Sequence, residues 1–517
     1  MSPVSKISRS TPSKTRPLRV LKFGGTSVGD GACIRQVAEI IRHAAGHSDL
    51  VVVVSAMSGV TNRLIEAATQ SEAGNRDAVE RIFSELRARH DAATSALIPS
   101  ASPRSRISRD LIQRNLEQIF QEGERLCQGT ALLRELTLRA RDAISSLGER
   151  LSAPLVAAAL AECGVPSEAI EATELVVTDS CHGAADPLMD ATHRRCEARL
   201  RPLLDQGIVP VITGFIGATA DGMLTTLGRG GSDYSATILG AAIDADEVII
   251  WTDVDGLMTA DPRLVPEAAT IPEISYREAA ELAHFGAKVL HPKTISAVTA
   301  SGIPLWIRNT FSPELPGTRI TPTGPSTDGG VKGLTAISEV ALITVGGPGI
   351  VGVPDVLGRT FAATAAVRAN VLLISQSSSQ NDICLVAAFP AAQRTVEALR
   401  REFAQDLAHE KVEHITLDPT VAIVTVVGKN MRSAATVGRT FTALSRENVS
   451  IAALAQGSSE CNISFVVAER DVKAALATIH REFQLGTLAA AAIPVKSVGI
   501  DATAWQYESR QQTANGD

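Results

Sequence analysis

The sequence lacks the features of a membrane protein or a nucleic-acid-binding protein. Its 517 residues carry a formal net charge of −7, so no excess of lysine and arginine indicates a basic nucleic-acid surface. No apolar run reaches the length needed to cross a bilayer. Apart from a low aromatic content of 3 %, the composition is ordinary for a globular chain. At this length we expect roughly two to four domains with an ample core.

Cysteine usage argues against a disulfide framework and against a zinc site. The seven cysteines are odd in number, and no two of them form a Cys-x-x-Cys pair. This favours a reduced, cytoplasmic setting and predicts no metal site made by the protein itself. Residues 1–17 are rich in Ser, Thr, Pro, Lys and Arg but have no apolar segment. We therefore expect a disordered N-terminal arm and not a targeting sequence.

Short apolar runs alternate with helical patterns through the first three hundred residues. A long helical stretch with few breakers lies between Arg76 and Ser146. This alternation predicts an α/β domain with a mostly parallel sheet, over residues 18–310. The predicted strands are Leu18–Phe23, Leu50–Ser55, Ala169–Glu174, Ile208–Thr213 and Glu247–Thr252.

The last third of the chain contains an internal repeat. Gly358-Arg-Thr-Phe recurs as Gly438-Arg-Thr-Phe, and most of the match holds at an offset of about 80 residues. Each copy has the order strand, helix, strand, strand, helix, strand of a ferredoxin-like βαββαβ unit, and we expect the two to pair their sheets. The expected ranges are a Pro- and Gly-rich linker at 311–332, modules at 333–417 and 418–500, and a flexible tail at 501–517.

The most informative stretch runs from Lys22 to Asp30. A strand that stops at Gly24-Gly25 and leads into a helix exposes backbone N–H groups, which bind phosphate well. A lysine at the end of that strand can reach a phosphate as a point charge. The lysine precedes the glycines, so the motif is not a P-loop. An ordinary glycine-bearing turn is the alternative.

Two further stretches place small and polar residues near the ends of predicted elements. Ser55–Asn62 follows the second strand, and its hydroxyl groups allow a polar ligand to approach the backbone. An N-capped loop would explain them equally well. Ser146–Arg150 precedes an alanine-rich helix, where the glutamate is either functional or a capping-box acid.

Three later stretches carry charged residues. In Leu227–Ser235 an arginine, a serine and an aspartate lie among glycines just before a predicted helix at Ala236–Ile243. A tight turn alone would not require the arginine, which matches a carboxylate or a phosphate bidentately. Thr252–Arg263 places acids at the carboxyl end of a strand, where nucleotides bind in parallel sheets, although turn chemistry also explains them. Phe285–Pro292 adds a second lysine, and a solvated lysine is its alternative.

In this order, the stretches closely resemble the aspartokinases of the amino-acid kinase superfamily. The resemblance extends from about Leu18 to about Val498 and includes two ACT-type regulatory modules. It implies a three-layer α/β kinase domain followed by the ACT pair. One ACT module is commonly inserted in the other, so the strand near Gly333–Ser338 is expected to join the second copy. The matching motifs are KFGGTSVGD, VVVVSAMSGVTN, LGERLSA, TLGRGGSDYSA, WTDVDGLMTADPR and FGAKVLHP.

The resemblance also implies a reaction and a role for each matched residue. The reaction is phosphoryl transfer from ATP to L-aspartate, giving 4-phospho-L-aspartate and ADP, the first step towards lysine, threonine and methionine. Lys22 would neutralise charge on the transferred group, and Asp233 would orient that lysine or the metal. The implied aspartate-binding residues are Thr61, Glu149, Arg229 and Ser232. The implied ATP-binding residues are Lys22, Gly24, Gly25, Thr252, Asp253, Met258, Arg263 and Lys288.

Three of these assignments are more specific. Glu149 would hold the substrate ammonium, and Arg229 a substrate carboxylate. Met258 stands where many relatives carry tyrosine, which puts an aromatic contact to the nucleotide in question. Mg²⁺ would arrive with ATP and be held largely by phosphate and water.

Both repeats place a glutamine followed by serines after a strand. The resemblance to threonine-sensitive enzymes implies feedback inhibition by threonine, lysine or both, while hairpin turns with local hydrogen bonds are the alternative. ACT pairing between chains also predicts a homodimer or homotetramer. The implied effector residues are Gln376, Ser378, Asn381, Gln456, Ser458 and Asn462.

Two other functions compete with this interpretation. One is a kinase for another amino acid, such as glutamate or its acetyl derivative; the double ACT region and the Ser-Gly-x-Thr-Asn stretch argue against it. The other is an amino-acid sensor with a decayed kinase domain, against which stand the intact Lys22, Arg229 and Asp233. We expect neither a nucleic-acid nor a membrane partner.

Overall fold

The computed structural model describes residues 16–98, 109–286, 289–325, 330–347, 354–376, 382–456 and 460–487. They divide into two compact units. The first holds the described residues up to Gly256 together with those of Leu290–Pro322. The second holds the described residues of Leu257–Val289 and those from Thr323 onward. No helix in these ranges is both long and apolar enough to span a membrane.

The described strands and helices alternate in the first unit and follow the repeat in the second. The strands are β1 (Leu18–Phe23), β2 (Asp49–Val54), β3 (Ser167–Ile170), β4 (Val209–Thr213), β5 (Ile216–Ala218), β6 (Leu224–Thr226), β7 (Glu247–Thr252), β8 (Glu273–Ser275), β9 (Leu305–Asn309), β10 (Thr318–Thr321), β11 (Val331–Gly346), β12 (Val371–Gln376), β13 (Asp382–Ala388), β14 (His414–Gly428), β15 (Ile451–Ala455) and β16 (Asn462–Ala468). The helices are α1 (Gly31–Ala45), α2 (Val60–Ala73), α3 (Arg76–Leu97), α4 (Arg109–Leu133), α5 (Leu138–Ser145), α6 (Leu147–Glu162), α7 (Met189–Asp205), α8 (Gly231–Ala242), α9 (Tyr276–His284), α10 (Pro292–Thr299), α11 (Pro354–Ala366), α12 (Phe389–Glu402), α13 (Ala404–Ala408), α14 (Ala434–Arg446) and α15 (Val472–Glu482).

Strands of the first unit lie in one sheet in the order β3-β4-β2-β1-β7-β9-β10. Every pair from β3 to β9 is parallel, and β10 runs antiparallel to β9. The central strand β1 is buried along its whole length. Lys22 on β1 lies opposite Val53 of β2 and Ile250 of β7. Because parallel strands end at the same edge, the residues that follow β1, β2 and β7 gather there.

The predicted α/β class is confirmed, and most predicted strands are present. The strands at Leu18–Phe23 and Glu247–Thr252 have the predicted bounds. The strand predicted at Leu50–Ser55 is found at Asp49–Val54, and the one predicted at Ile208–Thr213 begins one residue later, at Val209. The prediction for Ala169–Glu174 was wrong: strand β3 ends at Ile170, and Ala172–Glu174 forms a turn of 3-10 helix. The long helical stretch after Arg76 contains α3, α4 and α5.

Helix α6 is the buried helix of the first unit. From Leu147 to Leu160 every residue except Arg150 is buried, and the helix packs on α1, α4, β3 and β4. Its many alanines and apolar side chains on all faces suit a helix surrounded by protein. The first turn of this helix carries Glu149, which is therefore held away from bulk water.

The second unit contains an antiparallel sheet in the order β12-β13-β11-β14-β16-β15. Its two central strands are long, and each serves both repeats. The first half of β11, residues 331–337, pairs with the second half of β14, residues 423–428, next to β16. The second half of β11, residues 340–346, pairs with β13 and with the first half of β14. The strand near Gly333–Ser338 thus pairs with the second copy.

Each repeat also contains the same arginine clasp between its two helices. Arg359 donates from Nε to Glu402 Oε1 at 2.7 Å, and its guanidinium carbon lies 4.4 Å from the centre of the Phe403 ring. In the second copy Arg439, Glu482 and Phe483 make the same contacts, at 3.0 Å and 4.3 Å. These clasps join α11 to α12 and α14 to α15.

Candidate active site

An ion pair at the centre of the first unit joins the end of β1 to the start of α8. Lys22 Nζ lies 2.5 Å from Asp233 Oδ1. Both side chains are mostly buried, 8 % and 15 % exposed. Removing the lysine charge from water costs free energy, and the Asp233 carboxylate offsets part of that cost. The positive charge is therefore held close to the strand ends. The structure brings together the two residues predicted to be catalytic.

The glycine turn after Lys22 is anchored to the neighbouring strands. The N–H of Gly24 donates to the Trp251 carbonyl at 3.0 Å. The hydroxyl groups of Ser27 and Thr310 lie 2.7 Å apart and share a hydrogen bond. Gly24 therefore does not offer its amide to a ligand as predicted, because the pairing of β1 with β7 continues one residue beyond the strand.

Free amide groups nevertheless remain in this turn. Within the described ranges, the backbone N–H groups of Gly25, Thr26 and Ser27 make no hydrogen bond. Gly25 favours glycine for a different reason: an added Cβ would lie only 3.0 Å from the Ala56 carbonyl oxygen, a tight contact with backbone. No described residue accepts from these three amides, so they remain available as donors to an anion.

Helix α8 begins earlier than the sequence suggests. It starts at Gly231 and not at Ala236, so Ser232 and Asp233 lie in its first turn. The preceding Gly230 has a φ of +67°, a left-handed conformation that favours glycine. The first turn of a helix carries unsatisfied N–H groups and a partial positive charge, so this turn adds a second anion-binding element beside Lys22.

Glu149 lies in the same region and is almost fully buried, at 3 % exposure. Burial raises the pKa of its carboxyl group to about 8, although hydrogen bonding to the backbone of Ala56, the charge of Lys22 and the Ser232 hydroxyl all oppose this rise. Its Oε2 atom has no hydrogen-bond partner within the part of the chain that the structure describes. An unpaired buried carboxylate oxygen is costly, so a cationic ligand group would be strongly favoured here.

The backbone around Glu149 is positioned by close contacts that the sequence did not reveal. An added Cβ on Gly148 would come within 2.6 Å of the Ala56 side chain and 3.5 Å of Thr61 Oγ1. Ser152 donates its hydroxyl to the Ser55 carbonyl at 2.7 Å. The absence of a side chain at Gly148 therefore allows the Ser55–Asn62 stretch to touch α6. Ser146 makes no side-chain capping bond, so the capping-box alternative for Glu149 does not hold.

Arg150 fixes the same turn from the other side. It forms a bidentate pair with Glu122, at 2.8 and 3.0 Å, and its Nε donates to Glu171 at 2.7 Å. The neighbouring Glu149 and Arg150 thus have different surroundings. Glu149 is buried with one oxygen unpaired, whereas Arg150 is held by two glutamates.

Arg229 is exposed on the turn between β6 and α8. Within the described residues it makes no hydrogen bond and no ion pair, although its charge contributes to lowering the pKa of His291. The glycines on either side, Gly228 and Gly230, both have positive φ. An unpaired guanidinium on such a turn is free to meet a carboxylate of a ligand.

Thr252 and Asp253 lie where the nucleotide was predicted, at the carboxyl end of β7. The Thr252 hydroxyl donates to Asp253 Oδ1 at 3.2 Å. The Thr252 carbonyl accepts from the Thr310 amide at 2.8 Å. Asn309 Nδ2 donates to Asp255 Oδ1 at 2.6 Å. Asn309 ends β9 and Thr310 follows it, and no sequence motif marks these contacts with the end of β7.

The remaining nucleotide residues belong to the second unit. Met258 Sδ accepts a hydrogen bond from Thr270 Oγ1 at 3.6 Å. Arg263 is 81 % exposed and pairs with Asp261. Lys288 lies outside the described residues.

The effector residues are also in the second unit. Gln376 and Gln456 are exposed, and Gln456 Nε2 reaches the Met431 carbonyl at 3.4 Å. Asn462 is 9 % exposed, and its Nδ2 donates to Glu281 Oε2 of α9 at 2.5 Å. Ser378, Asn381 and Ser458 lie outside the described residues.

The described residues contain no group of three or more His, Cys, Asp or Glu side chains that could hold a metal ion. Near Lys22 the available oxygen ligands are single carboxylates, of which Asp233 is already paired with the lysine. Such a donor set fits a Mg²⁺ ion that keeps most of its ligands from phosphate and water.

Comparison with known proteins agrees with this geometry. Residues 17–309 match the amino acid kinase family, and residues 343–403 and 424–483 each match the ACT domain. The chain is 35 % identical over 473 residues to the chloroplastic bifunctional aspartokinase/homoserine dehydrogenase 1 of Arabidopsis thaliana, covering 90 % of this chain and 51 % of that protein. It is 30 % identical over 469 residues to the chloroplastic aspartokinase 1 of the same plant, covering 90 % and 80 %. The chain spans about half the length of the bifunctional relatives.

Solved structures show the same relationship. Aspartokinase III of E. coli, in complex with aspartate and ADP, matches with a TM-score of 0.74 at 28 % identity, over 90 % of this chain and 100 % of that one. The fold and these matches together place the chain in the class of α/β proteins that combine an amino acid kinase family domain with two ACT domains. Within that class, the chain belongs to the aspartokinase family.

Proposed function

We propose that this chain is an aspartate kinase, which transfers the terminal phosphoryl group of ATP to the side-chain carboxylate of L-aspartate. The products are ADP and 4-phospho-L-aspartate, the first step towards lysine, threonine and methionine. The observation that carries the proposal is the Lys22–Asp233 pair, which lies beside the free amides after Gly24 and the buried Glu149.

The chemistry needs little more than this arrangement. A substrate carboxylate is already ionised at pH 7, so it attacks phosphorus without a general base. Catalysis then rests on holding the reactants in line and on stabilising negative charge. Lys22 and Ser27 are buried, Gly25 is half-buried and Thr26 is exposed, so the lysine and the three amides would supply positive charge and donors at the edge of the protein interior.

The substrate residues divide between the two charged ends of aspartate. The unpaired Oε2 of Glu149 suits the ammonium group, and the exposed Arg229 suits a carboxylate. Thr61 and Ser232 are the other two proposed aspartate-binding residues. Thr61 lies next to Gly148, and the Ser232 hydroxyl lowers the pKa of Glu149. The E. coli aspartokinase III structure contains aspartate and ADP, which supports the same ligands for this chain.

The nucleotide would lie across the ends of β1 and β7, with Thr252 and Asp253 beneath it. The other proposed ATP-binding residues are Gly25, Met258, Arg263 and Lys288. Gly24 is left out because its amide donates to the Trp251 carbonyl. Asp233, the carboxylate paired with Lys22, would help to hold Mg²⁺, which would supply positive charge to the phosphates.

An assay of the purified chain tests the proposal. It is supplied with ATP and magnesium, and hydroxylamine traps any acyl phosphate as a hydroxamate. We expect hydroxamate with L-aspartate and little with L-glutamate or N-acetylglutamate. Preference for either glutamate compound would instead support the competing amino-acid kinase. The absence of product with all three would support a sensor without kinase activity.

We further propose that the ACT modules carry feedback inhibition by threonine, lysine or both. A solved E. coli aspartokinase III structure contains lysine together with aspartate, which supports an amino-acid effector. Gln376, Ser378 and Asn381 in one repeat and Gln456, Ser458 and Asn462 in the other would bind it. Titration of the aspartate assay with each amino acid is the test, and a flat response to both would refute the regulation.

We also propose that the chain forms a homodimer or homotetramer through its ACT modules. We propose a cytoplasmic location as well. Sedimentation of the purified chain with and without threonine and lysine would test the assembly. A monomer under both conditions would refute it. The odd number of cysteines supports the reducing compartment.

A further inference from the structure

Asp142, in the middle of α5, is a buried carboxylate to which no motif and no proposed role has been assigned. It is 2 % exposed. A carboxylate is removed from water at a high cost in free energy unless several donors surround it. Three donors are present: the Thr226 hydroxyl donates to Oδ1 at 2.6 Å, while the His182 ring nitrogen Nδ1 and the Gly183 amide donate to Oδ2 at 2.8 and 3.0 Å.

The three donors come from two separate segments. Thr226 ends β6, and the chain continues from it through Gly228 to Arg229. His182 and Gly183 belong to the loop of residues 179–186, which we name the histidine loop. Asp142 thus connects the histidine loop to the strand that carries the substrate arginine.

The two segments also touch directly. The Ala185 amide donates to the Thr226 carbonyl at 2.9 Å. An added Cβ on Gly228 would lie 3.1 Å from the Gly183 carbonyl oxygen, so the histidine loop packs against the turn next to Arg229. Gly183 is therefore held through its amide by Asp142 while its carbonyl faces that turn. The same carboxylate fixes both sides of the contact.

We infer that Asp142 is a positioning residue for the aspartate site: it holds the histidine loop against β6 so that Arg229 meets the substrate carboxylate in a fixed place. The inference rests on the proposed function. Arg229 has no partner of its own among the described residues, so its position depends on the backbone of its turn. Displacement of a binding group by about 1 Å can lower the rate on the order of a hundredfold, so loss of this support should be measurable.

The test measures kcat and both Michaelis constants for the purified full-length chain and four variants. Asp142→Ala should raise the KM for aspartate by about tenfold and change the KM for ATP by less than about twofold. Asp142→Asn should show a smaller rise than Asp142→Ala, because its amide oxygen still accepts from Thr226 while its NH2 group cannot accept from the Gly183 amide. Thr226→Val, which removes a single donor, should raise the aspartate KM by about threefold. Asp110→Ala, an exposed aspartate in the first turn of α4, is the control.

Thermal unfolding of each variant separates positioning from stability. An unchanged aspartate KM in a folded Asp142→Ala variant would overturn the inference, as would equal rises in the KM of both substrates. An asparagine variant with the aspartate KM of the wild type would also overturn it, since the hydrogen bond from the Gly183 amide carries the argument. If Asp142→Ala does not fold, Thr226→Val decides alone. A wild-type chain without aspartate hydroxamate would refute the proposed function, whereas an active wild type with unaffected variants refutes only this inference.

Discussion

Lys22 Nζ and Asp233 Oδ1 lie 2.5 Å apart, although the first residue is in β1 and the second is in α8, with strands β2 to β6 between them along the chain. The pair exists because α8 packs on β1 and begins at Gly231, which turns the Asp233 side chain towards the end of the central strand. The nearby Glu149 feels the charge of this lysine.

Replacement of Lys22 should affect turnover far more than binding. In Lys22→Ala we expect kcat to fall by about a thousandfold, with the KM of each substrate changed by less than about fivefold, because the lysine acts on charge that develops during transfer. Arg35→Ala removes an exposed cation from α1 and serves as the control. Turnover near that of the wild type in Lys22→Ala would contradict the catalytic assignment.

Arg229 and Arg263 should have separable effects. Arg229→Ala should raise the KM for aspartate by about tenfold or more and leave that for ATP nearly unchanged, since a carboxylate partner is lost. Arg263→Ala should show the reverse preference. Arg229→Lys should recover only part of the loss, because an ammonium group cannot make the bidentate contact. Equal effects of Arg229→Ala on both Michaelis constants would rule out its role.

Glu149 should make aspartate binding dependent on pH. Burial raises the pKa of this carboxyl group to about 8 in the ligand-free chain. Below that pH it is protonated and must lose its proton to pair with the substrate ammonium, so the KM for aspartate should rise as pH falls from 8 to 6, by at most about tenfold per unit. Glu149→Gln should bind weakly with no such slope. The same pH dependence in both proteins would contradict the role.

The raised pKa of Glu149 should also make the free energy of unfolding depend on pH. The folded chain retains a proton on Glu149 that the unfolded chain, with an ordinary value of 4.5, has already released. Stability from this group is therefore present at low pH and is lost as pH rises from 4.5 to 8. The stability of Glu149→Gln relative to wild type should increase over that range, as measured by urea unfolding at several pH values. A constant difference would show that the carboxyl group does not retain its proton.

The arginine clasps should differ in strength. Arg359 is 28 % exposed and also pairs with Asp406 at 2.9 Å, whereas Arg439 is 50 % exposed. We expect Arg359→Met to lower the free energy of unfolding by about 1–2 kcal/mol and Arg439→Met by less than about 1 kcal/mol, because exposed pairs are screened by solvent. Arg470→Met, 86 % exposed, is the control in urea unfolding. A larger loss in Arg439→Met than in Arg359→Met would contradict this order.

Much of the fold follows from local patterns. The strands at Leu18–Phe23 and Glu247–Thr252 are mostly apolar, and such short apolar stretches are typical of buried parallel strands. The start of α8 could not be predicted, because Gly231, Ser232 and Asp233 have low helix propensity and are helical only through tertiary contacts. Gly231 is glycine because the Phe215 ring lies where a Cβ would project.

The sequence alone determined the family, the order of α/β and βαββαβ elements, and the residue types of the site, since motifs and periodicity are local. Tertiary structure alone decided which of these residues meet. In the folded chain the Gly24 amide donates to the Trp251 carbonyl, and burial raises the pKa of Glu149 to about 8. Folding also brings three hydrogen-bond donors to Asp142. Burial and hydrogen-bond partners depend on residues far apart along the chain, and no local pattern records them.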